Sequence, residues 1–592
     1  MKEIRVVMPL LRLYPWSIPT IIIIGLLASL MEGFGISLLI PFLQDLAHTS
    51  EPLNTGNFLI DFLNGLFVNI PSNNRLIVIP LSILGCIFLK SCFVYANGVL
   101  FSWLNARISH ILRYGIFHQL LTVSYSFLDS DNTGKYMNTL DKETWQTSSA
   151  LEYLVSILIN ACTILVFVLL LFLISWKLAM LVGVVMLLIS LIVRLITRKA
   201  EKMGQDGIRA CEALTVRMWE VFSGMRVVRA FGRESYEKKL FSRKSDQVSS
   251  SFMMLDMFSA AVGPLYEVLA NFLLLCILVI AILQHWSDLP VLLTFMFFIF
   301  RLQPQMMQFD SNRVGLMALT DAVTNVLSLI NRSHKPYIRP GKTVFQSLNH
   351  GITFESVTFQ YGVNTEPSLQ NLSMHIPSRK TTAIVGPSGA GKSTIINLIC
   401  RFYDVNGGRI LVDENPLNQL KLTDWRRQIA VVRQNDHIFS ATIRENIAYG
   451  RLDATESEIV GSAKEANAHD FIRNLKMGYE THVGDRGILL SAGERQRIAL
   501  ARAVIRNPQI LILDEATNAI DSISENLIQE TLKTLGGSRT TIVIAHRLST
   551  IEQADQIIVL EKGRVAAQGV FHDLLKQKGL FARLYELQHS LH

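Results

Sequence analysis

The sequence predicts a helical membrane domain of six spans followed by a soluble α/β domain built on a phosphate-binding loop. Three observations predict it. Half of the 592 residues are hydrophobic and only 18% are charged, against about 25% in an average soluble protein. The apolar excess lies ahead of about residue 310, whereas the rest reads as soluble α/β. Finally, Gly386-Pro387-Ser388-Gly389-Ala390-Gly391-Lys392-Ser393-Thr394 sits between an apolar run ending at Val385 and a helical pattern opening at Ile395. Strand, glycine loop and helix in that order are the context that gives a G-x-x-x-x-G-K-[ST] match its meaning. The expected division is 1–330 for the membrane domain, 331–346 for a polar linker with Pro336, Pro340 and Gly341, and 347–592 for the nucleotide domain.

Crossing about 30 Å of hydrocarbon takes about 20 apolar residues. Six stretches qualify, at 18–43, 76–103, 149–175, 178–197, 255–284 and 290–311. Only Ser175-Trp176-Lys177 separates the third from the fourth, so these two form a tight hairpin. The first runs on without a small-residue cleavage site and is expected to be retained as a span. Lys2, Arg5 and Arg12 precede it, and no Lys or Arg lies between Gln44 and Asn74. Arg107, Arg113, Lys135 and Lys142 follow the second span. Arg198, Lys199, Lys202, Arg226, Arg229, Arg233, Lys238 and Lys239 follow the fourth. This bias places both termini in the cytoplasm of a multi-pass protein. The glycine loop is then where ATP is.

The net charge of +8 belongs to basic residues beside apolar helices. It speaks for a membrane surface rather than nucleic acid. The six cysteines have neither C-x-x-C pairing nor metal-ligand spacing, and read as small buried apolar groups.

The cytoplasmic connections 107–138 and 201–246 are helix-patterned, each with a break, at 126–134 and 223–232. Short transverse helices docking on the nucleotide domain are expected there, since Phe127 and Phe231 need cover. Glu32 and Glu267 lie inside spans, where a carboxylate faces a cavity or a partner. Arg301 or Asn271 is the candidate partner, and an ion pair and a substrate contact both stand open. In the first external loop, Asn57, Asp61, Asn64, Gly65 and Asn69 share one helical face of an otherwise apolar segment. An interfacial helix and a cap over the bundle both fit.

In the glycine loop, backbone N–H groups converge on phosphate oxygens with no Cβ in the way, and the helix start favours anions. Lys392 is expected at the β/γ-phosphates and the Ser393 hydroxyl on Mg²⁺. Tyr361, just after the strand beginning at Gly351, is placed as an aromatic that stacks on adenine. The buried strand Gln509 to Leu513 ends in Asp514 and Glu515. Asp514 is placed to hold Mg²⁺ through its water shell, and Glu515 to act as general base on the attacking water. A second strand, Thr541 to Ala545, ends in His546. Parallel pairing of the two would set His546 beside Glu515 at the carboxyl edge of the sheet, where ligands bind.

Leu490-Ser491-Ala492-Gly493-Glu494-Arg495-Gln496-Arg497 resembles the signature motif of the ATP-binding cassette (ABC) transporters, usually Leu-Ser-Gly-Gly-Gln. Gln434 resembles the Q-loop, Ala519-Ile520-Asp521 the D-loop, and Thr481 to Gly487 the exporter X-loop. The resemblance covers essentially the whole chain, and six spans ahead of one cassette is the half-exporter layout. It implies the ABC exporter fold and ATP hydrolysis coupled to transport, with ATP and Mg²⁺ as cofactors. Gln434 becomes a catalytic and Mg²⁺-contacting position. It also implies a dimer, with ATP on Lys392 of one chain closed by Ser491, Ala492, Gly493 and Glu494 of the other. A homodimer is expected, and a related second chain is the alternative partner. The departures are Ala492 for Gly and Glu494 for Gln, which predict slower hydrolysis. Glu32 to Phe42 is similar to the opening of lipid-linked oligosaccharide flippases and glycolipid or polysaccharide exporters. That implies ATP-driven export or flipping of an amphipathic lipid, glycolipid or lipid-linked glycan across the inner membrane. A peptide or hydrophobic-drug exporter is the alternative, and an ATP-gated regulatory or channel-like protein the second alternative.

Overall fold

The computed structural model of the chain describes residues 14–46, 58–129, 133–283, 289–333, 335–362, 365–433, 436–514, 539–544, 551–577 and 579–589. The chain divides into two compact units, Met1–Thr122 with Asp131–His334, and Val123–Ser130 with Lys335–His592.

In the first unit the six predicted spans fall on six long helices. These are Ser17–Ser37 (continued by Leu39–Leu46), Ser72–Thr122, Thr144–Ile174, Trp176–Ser223, Glu234–Leu283 and Leu289–Ala318. Among the described residues, four stretches are long and apolar enough to cross a membrane: Ser17–Leu46, Asn74–Thr122, Gly134–Ile174 and Pro290–Ala318. The hairpin between the third and fourth helices turns on one extended residue, Ser175, at φ −157° and ψ 105°. The first, second, third and sixth helices pack together, whereas the fourth and fifth pack chiefly on each other. The core of the first group includes Ile36, Phe167, Phe295 and Phe298, with Phe167 edge-on to Phe298 at 5.7 Å. Gly33 lets the first and third helices approach, because a Cβ there would lie 2.3 Å from Leu170 Cδ1. Pro80, Pro264 and Pro304 each lie inside a long helix.

The external segment forms the helix Phe58–Gly65. Ile60 and Leu63, with Phe67 beyond the helix, are buried against the bundle near Ile36, Leu38 and Ile79. Phe62, Leu66 and Val68 remain exposed. The segment therefore caps the bundle through one apolar face and presents a second outward. Arg75 pins its end, donating to the Ile70 carbonyl at 2.6 Å and the Val68 carbonyl at 2.9 Å.

Both predicted breaks are short helices, Tyr125–Leu128 and Met225–Ala230. The first belongs to the unit that holds the nucleotide domain. The second packs on the long helices either side of it and leaves Val227 and Phe231 exposed. Those two legs are strapped by Arg217, whose Nη2 lies 2.6 and 2.7 Å from the two Glu237 oxygens.

The second unit is built on two sheets. Four strands, β1 (Gly351–Phe359), β2 (Leu369–Pro377), β4 (Gly407–Val412) and β5 (Asn415–Pro416), pair antiparallel in the order β2-β1-β4-β5. Six others form the order β10-β9-β3-β8-β7-β6: β3 (Thr381–Val385), β6 (Ile429–Arg433), β7 (Ile510–Asp514), β8 (Thr540–Ile544), β9 (Gln556–Glu561) and β10 (Arg564–Gly569). All but β10 run parallel. β3, β7 and β8 are buried almost throughout; β7 is apolar up to Asp514, and β3 and β8 are apolar after two opening threonines, as suits central parallel strands. Thr343 pairs with Leu420 and Phe345 packs edge-on to the buried Trp425 at 5.1 Å. The end of the stretch 331–346 is thus built into this unit.

Candidate functional site

The loop 386–391 joins β3 to the helix Lys392–Ile399. Gly389 at φ +79° and Gly391 at φ +101° take left-handed conformations, and a Cβ on Gly391 would meet the Ser368 carbonyl oxygen at 2.9 Å. Only glycine fits that turn. Pro387, Ser388 and Gly389 are exposed, Gly386 half-buried and Ala390 buried. Lys392 is buried, and its ammonium donates to the Gly386 and Pro387 carbonyls at 2.7 and 3.0 Å. Ser393 is exposed and Thr394 buried. The N–H groups of these three residues lie in the first helical turn, which supplies them no acceptor. The donor set therefore fits a polyphosphate, with N–H groups and an ammonium for its oxygens and an exposed hydroxyl for a divalent cation.

Tyr361 stands over the same helix. Its hydroxyl donates to Thr394 Oγ1 at 3.2 Å and accepts from Asn397 Nδ2 at 3.1 Å. The residue is 42% exposed, and Phe359 and Tyr403 meet its ring in T-shaped contacts rather than stacking on it. Asp514 ends β7, level with Ile544 of β8 and Arg433 of β6. The strands that lead into Glu515 and His546 are therefore parallel neighbours ending at one edge, as the sequence predicts. Glu515 and His546 themselves lie outside the described residues, as do Gln434 and the 519–521 stretch.

The signature opens the helix Ala492–Ile505. Ser491 is its N-cap, with Oγ accepting from Glu494 N–H at 3.3 Å while the Glu494 carboxylate accepts from Ser491 N–H at 2.7 Å. This reciprocal capping box answers two questions that the sequence raises. Ala492 is a helical residue and not among those with positive φ, so a methyl group is tolerated there. Glu494 is bonded back onto its own helix start. Gly493 is buried beneath. The preceding turn, Asp485–Gly487, leaves Ile488 and Leu489 exposed.

Matches to known families decide what these elements belong to. The family described as ABC transporter matches residues 369–518, and the ABC transporter transmembrane region matches 22–306. The chain is an ABC transporter. Over 570 residues the transporter is 35% identical to the heterocyst differentiation ATP-binding protein HepA of Nostoc sp., covering 96% of this chain and 93% of that one. It is 32% identical over 521 residues to the ATP-dependent lipid A-core flippase of Escherichia coli, covering 87% and 89%. In structure it is similar to a bacterial Atm1-family ABC exporter with ATP bound, with a TM-score of 0.81, 27% identity and coverage of 96% and 98%. The transporter therefore has the half-size exporter fold, binds and hydrolyses ATP, spans a membrane, and belongs to a group whose half-size members generally work as dimers.

Within the spans of the transporter, Glu32 is paired. Lys90 Nζ lies 2.7 Å from Glu32 Oε1, and Arg301 Nε lies 3.8 Å from the same oxygen. Arg301 is one of the two partners expected from the sequence, whereas Lys90 was missed. The signal was present, since Lys90 is the one charged side chain in the apolar run 76–103. Glu267 is exposed on the fifth helix, as is Asn271.

Proposed function

We propose that this exporter flips an amphipathic lipid, glycolipid or lipid-linked glycan carrying an anionic group across the cytoplasmic membrane. It does so as a dimer of identical chains, by alternating access, with both termini in the cytoplasm. The observation that carries the substrate reading is the ion cluster. One carboxylate, Glu32, faces two cations, Lys90 and Arg301, which among the described residues leaves one positive charge over in an apolar bundle. Arg301 is half exposed, at 51%. An intramembrane charge of this kind is costly and marks a substrate path. The apolar walls suit acyl or prenyl chains, and the surplus cation suits a phosphate or carboxylate. The name of the lipid A-core flippase relative points the same way.

In the ATP site, Tyr361 stacks on adenine, and residues 386–394 enclose the triphosphate, with Lys392 at its β- and γ-groups. Ser393, Asp514 and Gln434 hold Mg²⁺, which when bound neutralises charge developing on the phosphates. Glu515 takes the proton of the attacking water, and His546 and Gln434 orient the water and the γ-phosphate. Ser491, Ala492, Gly493 and Glu494 close the site from the second copy. The exposed Val227 and Phe231, and the exposed Ile488 and Leu489, support an assembly in which a second copy covers them.

The test is ATPase activity of the protein in lipid nanodiscs, with Glu515→Gln as the blank. An anionic glycolipid fraction, a neutral lipid fraction and a peptide library are titrated separately. Stimulation by the anionic fraction, lost in Arg301→Ala, is the expected result. Stimulation by peptides or drugs alone would overturn the lipid reading. No turnover under any condition would overturn the homodimer.

A further inference from the structure

Tyr403 stands between Tyr361 and the short helix Tyr125–Leu128, and it touches both. Its ring lies 5.2 Å from that of Tyr361 at an interplanar angle of 89°. Its hydroxyl donates to the carboxylate of Asp129, the residue that caps the short helix. The Tyr125 ring is 6.4 Å from Tyr403 and 4.9 Å from Phe402. A second branch returns to the same helix. Asn397, which donates to the Tyr361 hydroxyl, accepts through Oδ1 from Arg433 Nη2 at 3.4 Å. The Arg433 guanidinium lies 5.8 Å from the Phe402 ring centroid. Arg433 directly precedes Gln434. Both branches start at Tyr361 and end at Tyr125.

We infer that Tyr403 is a positioning residue through which occupation of the Tyr361 ring is passed to the helix Tyr125–Leu128. The inference rests on the reading of Tyr361 as the adenine platform. A base stacked on Tyr361 fixes the plane of that ring. Edge-to-face contact is one of the arrangements the ring quadrupoles favour, and a turn of Tyr361 breaks it unless Tyr403 moves with it, so Tyr403 follows the plane that Tyr361 takes. Packing alone needs only the phenyl ring. The hydroxyl ties that ring to Asp129 by a bond to a charged acceptor, stronger than a neutral one. A cavity of about 300 Å³ lined in part by Ser124, Tyr337, Tyr361 and Tyr403 gives the rings room to shift. The short helix is also held through Ser124 N–H, which donates to the Pro336 carbonyl at 3.0 Å, so a shift at Asp129 loads a segment fixed at its other end.

The experiment is amide hydrogen exchange of residues 123–130 in the full chain in nanodiscs, with a non-hydrolysable ATP analogue or with inorganic tripolyphosphate. In the unaltered protein the analogue is expected to slow exchange there about threefold or more, and tripolyphosphate to leave it unchanged. Tyr403→Phe keeps the ring and is expected to abolish the slowing while binding the analogue within about twofold of normal. Asp129→Asn, which weakens the same bond from the other end, is expected to do likewise. Normal slowing in both variants would overturn the inference, as would equal slowing by tripolyphosphate. Failure of the platform reading shows separately, as unchanged analogue affinity in Tyr361→Ala.

Discussion

Ser491 and Glu494 hold each other across the first turn of the signature helix, each side chain bonded to the backbone N–H of the other. The carboxylate is thereby fixed at the end of the helix that is proposed to face the γ-phosphate. Glu494→Gln keeps the reciprocal cap and removes the charge. It is expected to lower the KM for ATP about threefold, the size of a screened repulsion of roughly 0.7 kcal/mol. Glu494→Ala keeps the Ser491 cap, which uses the backbone N–H of residue 494, and loses only the acceptor for Ser491 N–H, at an expected cost of about 1 kcal/mol of local stability. Steady-state ATPase curves and thermal unfolding separate the two effects. An unchanged KM in Glu494→Gln would show that the carboxylate stays clear of the nucleotide.

Removing Glu32 leaves Lys90 and Arg301 facing each other with no anion between them. Glu32→Ala is expected to cost up to about 3 kcal/mol, in line with stranding one side of a buried pair. The check is the temperature at which the protein loses its monodisperse peak on heating. The double variant Glu32→Gln with Lys90→Met is expected to recover much of the loss, because no unpartnered charge pair remains.

How far these features were legible differs by residue. Glycine spacing and the strand ending in Asp514 could be read because each depends on neighbours within a few positions. The burial of β7 and β8 could be read from their apolar runs, whereas their adjacency was a condition in the sequence and is supplied by the fold. Lys90 was passed over because its meaning comes from Glu32, 58 positions earlier on another helix. Tyr403 belongs to no motif in the sequence, and only the fold brings it against Tyr361 and Asp129. The antiparallel sheet beyond β1 was also missed, because β2, β4 and β5 depend on pairing between segments far apart in the chain.

Arg75 holds the outer segment through two backbone carbonyls and lies 3.8 Å from Asp45. Arg75→Ala is expected to loosen the stretch 58–70 by about 1.5–3 kcal/mol, the range for hydrogen bonds involving a charged group. Limited proteolysis from the external side reads this out as faster cleavage. Equal cleavage rates would mean that Ile60, Leu63 and Phe67 alone hold the segment.

Asp413 accepts from the N–H groups of Asn349, His350 and Gly351 at 3.0, 2.7 and 2.9 Å. Burial pushes its carboxyl up, but the three donors outweigh burial and hold it below its ordinary value of 3.8. A carboxylate lowered on folding adds stability above its unfolded value and loses it as pH falls through the folded one. Stability of the nucleotide domain is therefore expected to drop as pH falls below about 4. Asp413→Asn should lose that part of the pH dependence in a series of thermal melts. If its melts track those of the unaltered protein at every pH, another group sets the acid limit.

Pro304 lies one turn beyond Arg301. Proline has no N–H, so the carbonyl of Phe300 goes without its usual partner four residues on. A ladder with one missing rung gives at the gap before it gives anywhere else. Stiffness is lowest next to the charge, and the far half of the helix acts as a lever whose fulcrum sits beside Arg301. Small bends of that helix reach the Arg301 to Glu32 separation before they reach the packed rings of Phe295 and Phe298.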